Sequence, residues 1–162
     1  MPSYLVTGGS GQLGQCFHAV AKESPAINLF FTSRNEVDIT RSETLANFYS
    51  KNPFDGIINC AAYINVDQAE KEEESAFKIN TEGLQNLIDF AEEKKLSIIH
   101  FSTDYVFDGN SSEPYPEEAA TNPIGIYGNS KLKGEVRLSK SSCKNVTIRI
   151  SWLFSPFGKN FV

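Results

Sequence analysis

Tyr127 and Lys131 stand four residues apart in Tyr127-Gly128-Asn129-Ser130-Lys131, a spacing that on a helix puts both side chains on one face, within reach of one ligand. An ammonium beside a buried phenol favours the phenolate, so a group with a free pKa of about 10 could exchange a proton near neutrality. Tyr127 is therefore a candidate general acid. An isolated pair of this kind is as ordinary as any i,i+4 contact on a solvated helix turn, so its meaning depends on what the chain places beside it. Thr103 is the natural third partner. Leu96-Ser97-Ile98-Ile99-His100-Phe101 reads as a strand that ends in Ser102-Thr103-Asp104, and an open α/β sheet presents groups to its ligand at the carboxyl ends of its strands. His100, inside that strand, reads as a core histidine rather than a base.

The elements that would position these groups begin at the amino terminus. Residues 3 to 7 read as a buried strand, followed by Thr7-Gly8-Gly9-Ser10-Gly11-Gln12-Leu13-Gly14 and a helical pattern through about Lys22, with Leu13, Phe17 and Val20 or Ala21 on one face. Glycines at 8, 11 and 14 suit a tight turn, a close approach of backbone to a pyrophosphate and close helix packing, with the helix N-terminus facing the negative charge. The spacing is GxxGxxG, and its place after a first strand and before a helix points to nucleotide binding. A second strand, Asn28 to Thr32, ends at Ser33-Arg34, where a dinucleotide site that prefers NAD would offer an acid. Arg34 could pair with a 2′-phosphate, which favours NADP, and Asp38 could line the adenine side. A third strand, Asp55 to Asn59, runs into Cys60-Ala61-Ala62-Tyr63, small residues that would let a cofactor pass over the strand end.

Ser42 to Tyr49 reads as a short helix with Ser42 as its N-cap. Asp67 and Glu70 resemble a capping box opening a long helix to about Lys94, with Phe77, Asn80, Leu84, Leu87, Ile88 and Ala91 at helical spacing. Asn80 on that apolar stripe is either a satisfied buried polar group or a brace for the site. Tyr105 to Ile126 holds Gly109, Pro114, Pro116 and Pro123 without sustained periodicity; a loop of this length in a compact domain usually has a functional role. The Tyr127 helix runs to about Ser139, and Asn145 to Ser151 is a fifth strand. Alternating strands and helices predict an α/β fold, a Rossmann-like doubly wound parallel sheet with helices on both faces, in strand order 3-2-1-4-5.

The 162 residues are 40% hydrophobic and 22% charged with a net charge of −5, the profile of a soluble globular domain rather than a disordered chain. Fifteen scattered basic residues against 20 acidic ones argue against a nucleic-acid binder. Cys16, Cys60 and Cys143 follow no CxxC or metal pattern, and only His18 and His100 could add imidazole ligands, so no metal and a reducing compartment are expected. Without a signal-like amino terminus or an 18-residue apolar span, the expected location is cytoplasmic.

The glycine turn, Asn59-Cys60-Ala61-Ala62-Tyr63 with Val66-Asp67-Gln68-Ala69-Glu70, Ser102-Thr103-Asp104-Tyr105-Val106-Phe107-Asp108-Gly109, Tyr127-Gly128-Asn129-Ser130-Lys131-Leu132 with Gly134-Glu135, and Arg149-Ile150-Ser151-Trp152 follow in an order that resembles the extended short-chain dehydrogenase/reductases. More narrowly, the chain is similar to the dTDP-4-dehydrorhamnose reductase family. That resemblance implies NADPH (or NADH) as cofactor, a dTDP-sugar as substrate, reduction of its C4 ketone in dTDP-rhamnose biosynthesis, and Thr103, Tyr127 and Lys131 as the catalytic triad. It further implies cofactor contacts from Gly8, Gly11, Gln12, Leu13, Asp38, Ile39, Ala61, Ala62 and Tyr63, and Tyr105 and Trp152 beside the sugar. Cys60 takes the place of the family's usual alanine. Residues 1–162 are expected to be an NAD(P)-binding domain without the family's carboxyl-terminal substrate domain; a homodimer is left open, with neither nucleic acid nor membrane as partner. The resemblance leaves two other readings open: another nucleotide-sugar reductase or epimerase, and a non-catalytic regulatory subunit like that of methionine adenosyltransferase.

Overall fold

The computed structural model describes residues 1–23 and 26–158; the end of the carboxyl-terminal run that begins at Ser155 lies outside the described residues. Five parallel strands form one sheet: β1 (Ser3–Thr7), β2 (Asn28–Phe31), β3 (Gly56–Asn59), β4 (Ser97–Thr103) and β5 (Asn145–Ile150). Apolar residues on both faces of β1, β3 and β4 suit strands covered from both sides. Leu5, Ile57 and Ile98 enter a core shared with Leu45 of helix α2 (Ser42–Lys51) and with Leu84, Leu87, Ile88 and Ala91 further along the chain. On the opposite face lies helix α1 (Gln12–Ala21), whose Phe17 ring stands 5.9 Å from that of Phe101. Val20 is exposed, so Ala21 completes the inward stripe of α1.

The strand order is β2-β1-β3-β4-β5, which corrects the expected 3-2-1-4-5. After β2 the chain does not return as a strand outside it. Instead, Asp38 accepts hydrogen bonds from the Thr40 amide and hydroxyl at 3.0 and 2.7 Å, while Thr44 binds the Asp38 backbone on both sides. These bonds close residues 38 to 44 into a loop, and Gly56–Asn59 pairs with β1. The order therefore reverses between β1 and β3, and it is at such a switch point that a doubly wound sheet opens a crevice at its carboxyl edge.

Two helix starts also differ from expectation. Arg41, not Ser42, occupies the N-cap of α2, with no side-chain cap bond. The expected capping box at Asp67 gives way to a short helix α3 (Val66–Ala69), capped by Asn65, whose side chain accepts from Gln68 N at 3.1 Å. The chain turns at Glu70-Lys71-Glu72 and starts again as α4 (Glu73–Phe77), continuing through a π-helical turn, Lys78–Gly83, into α5 (Leu84–Lys94). Mutual repulsion in the acidic run and its affinity for a helix N-terminus favour the restart at Glu73. Helix α6 (Ile126–Ser139) then lies across the π-turn. Thr81 Oγ1 donates to Ser130 O at 2.8 Å and Asn80 Nδ2 to Ser130 Oγ at 2.9 Å. A Cβ on Gly134 would stand 2.5 Å from Asn80 O, so the absence of a side chain there sets how closely α6 seats. Among the described residues no helix is long and apolar enough to cross a membrane.

Candidate active site

The switch point opens into a cleft of about 490 Å³. One end is made by the glycine turn. Gly8 adopts φ +63°, and a Cβ on it would stand 2.8 Å from Ala61 N, so turn and strand-end backbone approach with nothing between them. Gly11 is the N-cap of α1 and contributes no side-chain cap, which leaves the first-turn N–H groups of that helix for an anion. Gly8, Gly11, Gln12 and Leu13 all line the cleft. The Gln12 amide also donates to Leu153 O at 3.2 Å, tying the segment after β5 to the start of α1.

The side wall carries Arg34, Asp38 and Ile39. Arg34 Nε reaches Asp38 Oδ2 at 3.2 Å while the Arg34 side chain remains 73% exposed. Burial alone would raise the Asp38 carboxyl, but bonds from Thr40 together with Arg34 hold it below its usual value. Ala61 and Ala62 line the opposite side. Tyr63 departs from expectation: it is absent from the cleft walls, and its hydroxyl donates to Glu72 at 2.8 Å. Its backbone is instead clamped by Asn80, whose Oδ1 accepts from Tyr63 N at 2.9 Å and whose Nδ2 donates to Tyr63 O at 3.1 Å. Asn80 thus combines both readings open from the sequence: it is satisfied, and it braces the 60–63 segment against α6.

At the far end Thr103, Tyr127 and Lys131 converge on the cleft, with Tyr105 and Trp152 at its mouth, respectively 50% and 74% exposed. The Tyr105 and Tyr127 rings meet edge to face at 5.7 Å. Burial raises the Tyr127 phenol above its ordinary value, a hydrogen bond from Thr103 opposes the rise, and Asp104 and Tyr105 add to it. Lys131 does not ease its ionisation as the sequence suggested. Its Nζ donates to Phe101 O at 2.6 Å and lies 3.4 Å from His100 Nε2, and burial lowers the ammonium to about 8 against the upward pull of Glu135 and Cys60. Tyr127 therefore keeps its proton at neutral pH, the state a proton donor requires. Cys60 also faces the cleft, but burial pushes its thiol up to about 12, which leaves it protonated and unreactive.

Sequence reasoning missed Asp104. Its Oδ1 accepts from Thr103 Oγ1 at 3.1 Å and its Oδ2 from Ser151 Oγ at 2.6 Å, so it holds the Thr103 hydroxyl proton and ties the residue that follows β5 to the site. A carboxylate between two chosen residues at a strand end was the available signal. Val37, Ile64 and Leu153, apolar loop residues of the wall, carried none, because loop hydrophobics have no periodicity to reveal them.

A family model described as the RmlD substrate binding domain matches residues 3–162. The chain belongs to this family. It is 38% identical over 162 residues to a dTDP-4-dehydrorhamnose reductase of Aggregatibacter actinomycetemcomitans, covering 100% of this chain and 55% of the relative. A solved dTDP-4-dehydrorhamnose reductase of Bacillus anthracis in complex with NADP superposes with a TM-score of 0.93 at 34% identity, over 99% of this chain and 57% of that one. Another, from Clostridium acetobutylicum, gives 0.92 at 35%, over 98% and 56%. This RmlD-family chain thus spans about half the length of the relatives it matches.

Proposed function

We propose that the chain forms the dinucleotide-binding and catalytic portion of a cytoplasmic NADPH-dependent reductase that converts the C4 ketone of dTDP-4-dehydro-6-deoxy-L-mannose to the alcohol, giving dTDP-L-rhamnose. The observation that carries this reading is the convergence of Thr103, Tyr127 and Lys131 on one end of a cleft whose other end is the uncapped N-terminus of α1. The residues fit a dinucleotide: a glycine cradle that a Cβ would fill, free helix N–H groups, and a slot beside Ala61 and Ala62. The NADP in the Bacillus anthracis relative and the exposed guanidinium of Arg34 favour the phosphorylated form, with NADH as the alternative.

The bound nicotinamide would supply the hydride. Tyr127 donates its proton to the oxygen as charge develops on it, a transfer typically worth about 10² to 10⁴ in rate. Thr103, whose single hydroxyl proton is on Asp104 in the free cleft, turns to give that oxygen a hydrogen bond that strengthens as it becomes an alkoxide. Lys131 holds the ribose side of the cleft, and Tyr105 and Trp152 flank the sugar. The test is NADPH absorbance decay with dTDP-4-dehydrorhamnose, run on the 162-residue chain and on the full-length gene product. Turnover in the full-length product supports the reading. Cofactor binding without turnover in either protein would move the assignment to another ketosugar or to a regulatory role.

A further inference from the structure

Across the three central strands runs a row of polar side chains that the proposed reaction does not use, at the carboxyl ends of β1 and β3 and midway along β4. Thr7, Asn59 and His100 are register neighbours on β1, β3 and β4. All three are buried: 0%, 2% and 1% exposed. Thr7 Oγ1 donates to Asn59 Oδ1 at 2.7 Å, Asn59 Nδ2 lies 3.1 Å from His100 Nδ1, and His100 Nε2 lies 3.4 Å from Lys131 Nζ.

The direction of every proton in this row follows from one backbone bond. Ala61 N–H, which can only donate, points at Asn59 Oδ1 at 3.2 Å. That contact fixes which end of the Asn59 amide is oxygen, so the end facing His100 is the NH₂ group. His100 Nδ1 must then be the acceptor, and the ring carries its proton on Nε2. An imidazolium would place an N–H against the Asn59 NH₂, and burial with the nearby Lys131 charge already holds His100 well below its usual value. The Nε2–H therefore faces Lys131 Nζ. A neutral amine accepts it; an ammonium, with no lone pair, does not.

We propose that Asn59 and His100 are positioning residues for Lys131: Asn59 locks His100 as the neutral Nε2–H tautomer, and the N–H so presented to Nζ orients the lysine and disfavours its ammonium form. In its amine form, gained as the pH rises through about 8, Nζ turns its lone pair toward His100 and one N–H to Phe101 O, and keeps its remaining N–H for the cleft. The other groups facing Lys131 are Cys60 from the end of β3, protonated, and Glu135 from α6 itself, whose charge is shared with Arg149 of β5 in an ion pair at 2.7 Å. None of them replaces the imidazole as a donor aimed at Nζ. The inference rests on Lys131 belonging to the site, but its test needs no turnover, so failure of the reductase reading leaves it standing.

The experiment is nitrogen-resolved NMR of the imidazole in the purified full-length protein, with a pH titration of labelled lysine, for wild type, Asn59→Asp, His100→Phe and the double variant. An aspartate keeps the bonds from Thr7 and Ala61 but accepts from Nδ1, so it should switch the ring to the Nδ1–H form and turn Nε2 into an acceptor for the ammonium. The expected result is an Nε2–H wild-type ring that stays neutral from pH 5 to 8, and a Lys131 midpoint raised about tenfold in proton affinity by Asn59→Asp. In the His100→Phe background the same change should raise it less, because only the added charge is left to act. Equal shifts in the two backgrounds would overturn the proposal. So would an Nδ1–H or charged wild-type ring, a measurement that stands even if no variant folds.

Discussion

Lys131 carries the clearest pH signature of any single residue. Burial lowers its ammonium to about 8 from 10.5, which corresponds to about 3 kcal/mol of disfavour for the charged form in the fold. Below pH 8 the folded and unfolded chains are both protonated and the penalty is present in full. Between 8 and 10.5 the folded state releases its proton while the unfolded state holds it, so stability from this group rises with pH. Denaturant unfolding at pH 7 and at pH 10 should therefore show wild type gaining stability relative to Lys131→Met; a constant difference would contradict the assignment. Arg34 makes a separate prediction. Arg34→Ala should weaken NADPH binding about tenfold or more, the scale of a charge-assisted hydrogen bond, and leave NADH binding nearly unchanged, as read by fluorescence titration. The types and spacing of Thr103, Tyr127 and Lys131 were legible from the sequence. The state of Tyr127 was not, because the direction in which Lys131 Nζ points depends on Phe101 O and His100, groups from a strand that spacing alone cannot place.

Among the elements, α6 is held from three sides, and its buried face consists of Gly128, Ser130, Lys131, Gly134, Glu135 and Leu138. That face is too polar and too small to read as a core helix; it makes sense only beside the π-turn and the cleft. A π-turn widens a helix locally and is often found at functional sites; here it brings Asn80 and Thr81 onto Ser130. Gly134→Ala should therefore push α6 away and cost about 1–3 kcal/mol, the usual penalty for overpacking, visible as a lowered denaturation midpoint. On the other side Glu135 accepts three bonds from Arg149, the shortest 2.7 Å, and Arg149 also lies 5.1 Å over the Phe107 ring and donates to Glu117 O at 3.2 Å. One arginine thus joins β5, α6 and the proline-containing loop. Glu135→Ala, which strands it, should cost about 2–3 kcal/mol. The strands were readable because their apolar runs are short and bounded. The order 3-2-1-4-5 failed because the loop after β2 is held by side-chain bonds of Asp38 and Thr44, which have no periodic signal, and the long helix was broken by an acidic run that periodicity does not weigh.

For the molecule as a whole, the sheet reversal between β1 and β3 brings a glycine turn, a small-residue strap and the helix carrying Tyr127 and Lys131 from widely separated stretches of sequence to one crevice. A ligand that binds only that assembled crevice must stabilise the fold, by about 2.7 kcal/mol at a hundredfold excess over its dissociation constant; NADPH should accordingly raise the thermal midpoint in a concentration-dependent way. The central claim is that Tyr127 gives up a proton in the reduction. Its most direct test is the turnover number of Tyr127→Phe in the full-length gene product, followed by NADPH absorbance with dTDP-4-dehydrorhamnose, alongside a cofactor titration. The account predicts a loss of about 10² to 10⁴ in turnover with NADPH affinity nearly intact. A variant that turned over at the wild-type rate would contradict it.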